Sequence, residues 1–112
     1  MSELAARKCK PCEGGIAPLS AAQAGQLLAQ VSAAWVLTEN ARAIRREFAF
    51  RDFYRTMSFV NALAHIANIE DHHPDLEVGY NYCRVTFTTH AIRGLSENDF
   101  VCAAKLDLIP LG

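Results

Sequence analysis

A chain of 112 residues has room for one domain with a real but modest core. Its 51% hydrophobic and 21% charged content is that of a globular protein and argues against a disordered chain. The formal net charge of -1 leaves no basic field to hold a phosphate backbone, which argues against direct nucleic-acid binding.

Residues 1–18 read as an N-terminal tail. They hold Cys9-Lys10-Pro11-Cys12 and Gly14-Gly15 and end at Pro18, a Pro and Gly content that argues against a regular element. The remainder, 19–112, reads as the folded domain. Ser20 with Gln23 fits a capping box, and Ala24, Leu27, Leu28 and Val31 repeat at helical spacing, so a helix is predicted near 20–31. Trp35 to Thr38 predicts a short strand, with Asn40 in the following turn. Ile44, Phe48 and Phe50 share one parity and predict a second strand with one buried face. Arg46 falls on that parity and must lie at the rim or find a partner.

A long helix is predicted near 52–69. Phe53, Met57, Val60, Ala64 and Ala67 form its stripe, widened by Phe59, Leu63 and Ile66, and Pro74 lies beyond its end. The Tyr-, Val-, Thr- and Phe-rich stretch 77–89 predicts strand, with a break at Gly79 or Asn81. Gly94 closes a turn. A last helix is predicted near 96–107, with Phe100, Ala103, Ala104 and Leu108 on its inner side. This order of elements fits an α+β domain, an antiparallel sheet with helices on one face. A sheet with few strands keeps an open edge, which favours a homo-oligomer. No apolar run is long enough to cross a bilayer and no signal peptide is visible, so the expected compartment is the cytoplasm, with the four cysteines reduced.

The chemistry concentrates in Asp71-His72-His73-Pro74-Asp75 and, further on, Thr89-His90 and Ser96-Glu97-Asn98-Asp99. Pro74 pushes His73 toward extended backbone, so neighbouring side chains diverge there. Glu70 or Asp71 can hold an imidazole in one tautomer. His90 ends a strand, and a strand end can meet a helix-exit loop in a compact domain. Three imidazoles in one cleft would supply general acid and base. Against this stand blander readings. A loop histidine is often a solvated surface residue, and His65, inside the long helix, reads as surface or core. The Ser96-x-x-Asp99 spacing resembles a capping box, so Asp99 serves as a cap, a site residue or both. Cys9-x-x-Cys12 is half a zinc site, a redox pair or part of a flexible tail. No H-x-x-x-H pair or second C-x-x-C supports a metal site.

Together the run His72-His73-Pro74, aromatics at Tyr80 and Tyr82, Thr89-His90 and Gly94-Leu95-Ser96-x-x-Asp99 resembles the pterin-4a-carbinolamine dehydratases. The resemblance spans about Leu19 to Asp107, and the tail with Pro18-Leu19 resembles the N-terminus of many bacterial members. It implies a four-stranded antiparallel sheet with helices packed on one face, and dimers or tetramers. The implied reaction dehydrates 4a-hydroxytetrahydropterin to quinonoid dihydropterin, recycling the cofactor of aromatic amino acid hydroxylases, with no metal and no cofactor of its own. By resemblance His72 and His90 are the acid/base pair and His73 binds or orients the pterin. Asp99 supports His90 or lines the site, and Asp71 assists. The family usually has an acidic residue where this chain has Asn68, and often a Trp where it has Leu76. Those departures favour an alternative in which a weak or inactive dehydratase-like protein assists RuBisCO assembly in carboxysomes. A third implied role is indirect partnership with a transcriptional regulator.

Overall fold

The computed structural model describes residues 3–11, 16–38 and 40–111. Cys12, Gly14 and Gly15 of the predicted tail lie outside the described residues. Three helices and four strands follow in chain order: α1 (Ala21–Leu28), β1 (Val36–Thr38), β2 (Ala43–Ala49), α2 (Phe53–Glu70), β3 (Asp75–Val78), β4 (Tyr82–Phe87) and α3 (Glu97–Asp107). Short 3-10 turns span Glu3–Ala6 and His90–Ile92. The sheet is antiparallel throughout, in the order β1-β2-β4-β3, so β1 and β3 are its edges. The architecture is α+β, as the sequence predicts.

Local signals account for most boundaries. Ser20 and Gln23 form the expected capping box of α1. The chain turns between β1 and β2 with Asn40 and Ala41 both at positive φ, 58° and 64°. The stretch read as strand from 77 onward is a hairpin, broken at Gly79-Tyr80-Asn81. A Cβ at Gly79 would sit 2.1 Å from the Tyr82 ring, so a larger residue there must displace that ring.

On the inner face of the sheet Ile44, Phe48, Cys83, Val85 and Phe87 are buried under the helices. Phe59 of α2 meets Phe48 with ring centroids 4.4 Å apart, an arrangement that adds to simple burial. The buried stripe of α2 is Thr56, Phe59, Leu63 and Ala67: Ala67 of the predicted stripe and Phe59 and Leu63 of its widening are buried, and Thr56 joins them. Phe53 and Ala64 are exposed, while Met57 and Val60 are half-buried. Two apolar stripes overlap on this helix, and the sheet takes the one containing Thr56. Its hydroxyl lies 2.9 Å from both Asp52 O and Tyr80 O and shares its one proton between them, so its burial leaves the hydroxyl partnered.

The structure departs from the sequence reading twice more. Leu108, predicted on the inner side of α3, is exposed. Residues 3–9, within the segment read as a tail, pack on α3, and Leu4 is fully buried in the core. This second covering explains why eight residues of α3 are buried rather than one stripe.

Arg46 finds its partner in Asp107 at 2.6 Å, with its guanidinium 4.1 Å over the Phe48 ring. Asp107 also accepts from Trp35 Nε1 at 2.7 Å and from Ser32 N at 2.9 Å. Both ion-pair side chains are largely buried. Asp107→Ala would strand three donors, and we expect it to lower stability by about 3 kcal/mol. Denaturant unfolding checks this, and an unchanged midpoint would remove the network from the account of stability.

Candidate active site

Helix α2 ends in a way that aims the histidines. Asp71 takes the left-handed conformation, φ 50°, and His72 N donates to Ala67 O at 3.1 Å while Asp71 N donates to Asn68 O at 3.4 Å. This double bond pattern stops the helix. Asp tolerates the left-handed conformation better than most residues, which gives Asp71 a structural reason to be there. Pro74 then leads the chain into β3.

His72 turns inward. Its Nε2 lies 2.6 Å from Asp99 Oδ1, and its ring stacks parallel to Phe87 with centroids 5.9 Å apart. Asp99 is wholly buried. Its other oxygen, Oδ2, accepts from Thr89 Oγ1 at 2.8 Å and from Ser96 N at 2.9 Å. The carboxylate therefore closes the capping box of α3 and holds the imidazole, the two roles the sequence left open. It supports His72, where the resemblance implied His90. An ionised carboxylate only accepts, so the neutral His72 tautomer that fits this contact carries its proton on Nε2 and leaves Nδ1 to accept.

His73, next in the chain, is exposed. Its Nε2 bonds Asn68 Oδ1 at 3.0 Å. His90 starts the 3-10 turn after β4 and is exposed. The hydrogen bonds of Thr89 with Gly94 hold that turn in place.

A cleft of about 600 Å³ gathers Asp71, His72, His73 and His90 on its wall, with Glu70, Thr88, Thr89 and Asn98. That volume suits a small bicyclic ligand. The exposed His65 is not part of it. Asp99 lies behind the wall and reaches the cleft through His72. Glu70, a candidate tautomer holder, instead accepts from Cys9 N at 2.8 Å. Neither Asn68 nor Leu76 lines the cleft. Leu76 sits on edge strand β3 opposite Val85.

Sequence reasoning missed Cys9, Lys10 and Pro11, which form part of the cleft wall. It also missed Thr89 as a partner of Asp99. Thr89 beside His90 was a visible pairing, but nothing periodic marks residues 9–11.

Fold and site define a small α+β domain whose helix-exit loop and strand end bring three histidines to one cleft. Residues 17–109 match the family described as Pterin 4 alpha carbinolamine dehydratase. Among curated proteins, a "Putative pterin-4-alpha-carbinolamine dehydratase" of Legionella pneumophila (strain Corby) is 58% identical over 106 residues, covering 95% of this chain and 94% of that protein. One of the same name from Nitrosomonas eutropha is 58% identical, covering 96% and 93%. The chain belongs to the pterin-4a-carbinolamine dehydratase family. The crystal structure of a transcriptional coactivator/pterin dehydratase from Brucella melitensis superposes with TM-score 0.75 at 31% identity, covering 80% of this chain and 94% of that one. A pterin dehydratase-like protein identified as a RuBisCO assembly factor in the alpha-carboxysome superposes with TM-score 0.58 at 24% identity, covering 66% and 86%, a likeness of fold alone.

Proposed function

We propose that this protein dehydrates 4a-hydroxytetrahydropterin to quinonoid dihydropterin, with His72 and His90 as its acid/base pair. The observation that carries the reading is the buried Asp99 holding His72 at 2.6 Å on the wall of a cleft that His90 also lines. The reaction breaks the C4a–O bond, releases water and removes one proton from the pterin. The hydroxyl leaves more easily when it is protonated, and the new double bond needs a proton acceptor. His72, with Nδ1 as its accepting nitrogen and Asp99 behind it to stabilise the imidazolium, is the base. His90, on the exposed side of the cleft, delivers the proton to the leaving hydroxyl. His73 orients the ring and is itself oriented by Asn68. Asp71 lines the same wall and assists in binding.

Asn68 and Leu76 motivate the assembly-factor alternative. Because neither lines the cleft and Asn68 still holds His73, the geometry favours catalysis. The test is dehydration of freshly generated 4a-hydroxytetrahydropterin by the purified chain. A rate well above that of buffer is expected. A rate equal to buffer overturns the reading and puts RuBisCO assembly first.

A further inference from the structure

Cys9 and Cys102, 93 positions apart in sequence, bring their sulfurs to 3.4 Å. Cys9 Sγ also lies 3.7 Å from Asn98 O, to which its S–H donates. The Cys102 S–H is then the one directed at Cys9 Sγ. This hydrogen bond, with burial, pushes the Cys102 thiol far up. The approach is held from several sides. Glu70 accepts from Cys9 N, the Asn98 amide bonds both Lys10 N (2.9 Å) and Lys10 O (2.6 Å), and Lys105 Nζ donates to Ala5 O at 2.8 Å. The two thiols differ in access. Cys9 is half-buried and lines the cleft, whereas Cys102 is fully buried directly behind it. Cys83, at the inner face of the sheet, is also fully buried, and burial pushes its thiol up to about 11.

We propose that Cys9 and Cys102 form a peroxide-sensitive site, oxidised to an intramolecular disulfide that ties residues 3–11 to α3. Cys9, as thiolate, attacks one oxygen of hydrogen peroxide. The O–O bond breaks, and the departing hydroxide combines with the thiol proton as water. Cys102 sulfur then attacks the sulfur of the resulting sulfenic acid. The S–O bond breaks, and the hydroxyl leaves with the Cys102 proton as a second water. Two thiols lose two electrons and one peroxide becomes two waters. Closing the gap from 3.4 Å to a bond of about 2.0 Å requires only a small approach of the two sulfurs. A thiol reductant reverses the bond. Lys10 and Pro11 line the cleft, and Asn98 neighbours Asp99, so the crosslink fastens cleft wall to the helix that carries the His72 support. The proposal does not depend on the dehydratase reading, because its readout is covalent.

The test treats the reduced 112-residue chain with a slight excess of hydrogen peroxide, blocks the remaining thiols after denaturation and maps the peptides. The expected product is about 2 Da lighter and carries one bridged Cys9–Cys102 peptide, reversible by thiol reductant. The bridge should persist in Cys12→Ser and vanish in Cys9→Ser. A Cys9–Cys12 bridge overturns the proposal. So does Cys9 oxidised beyond the sulfenic acid with Cys102 still a thiol, or a protein whose thiols all survive.

Discussion

His90→Ala is expected to lower kcat for 4a-hydroxytetrahydropterin dehydration by about 10²–10⁴-fold, the range for a lost general acid or base. Stability should change little, because His90 is exposed and its ring packs into no core cluster. His72→Gln should produce a comparable loss in rate. Glutamine keeps an N–H for Asp99 but supplies no nitrogen that can accept a proton. The pair acts on one reaction coordinate, so the double variant should lose less than the product of the single losses. Stopped-flow dehydration with a matched buffer control measures all three. Full activity in His90→Ala would remove that residue from the chemistry and leave His72 to serve both proton transfers.

Asp99 carries the second large expectation, and two substitutions separate its roles. Asp99→Ala takes the carboxylate from His72 Nε2 and Ser96 N and leaves Thr89 Oγ1 only its contact with Ser96 Oγ, and should cost about 3–5 kcal/mol of stability. In a domain of this size that lowers Tm by more than about 10 °C. Asp99→Asn retains one oxygen for the cap but turns an amide N–H toward His72. The imidazole must then accept at Nε2 and carry its proton on Nδ1, the wrong tautomer for a base. The expected result is a Tm much nearer wild type with kcat reduced about 10²-fold or more. Wild-type turnover in a folded Asp99→Asn protein would show that the carboxylate only caps α3.

Sequence and structure agree where signals are short-range. Ser20 and Gln23 announce α1 because a capping box is complete within four residues. The extent of α2, the turn at Asn40 and the capping role of Asp99 are legible for the same reason. Which part of the widened α2 stripe faces the sheet is not, since Phe53 and Phe59 look equally apolar until packing buries Phe59 and leaves Phe53 out. Arg46 shows an intermediate case. Its parity announced that it needed a partner, but only the fold supplied Asp107.

The sequence by itself determined the α+β class, because caps and periodicity are written locally, and its histidine run carries the resemblance that points to the family. The tertiary structure decided that Asp99 serves His72 rather than His90, that residues 9–11 wall the cleft, and that Cys9 meets Cys102. These are contacts between elements distant in the chain. They depend on how helices seat on the sheet, where burial and hydrogen-bond satisfaction of the whole core choose among partners that local patterns leave equivalent.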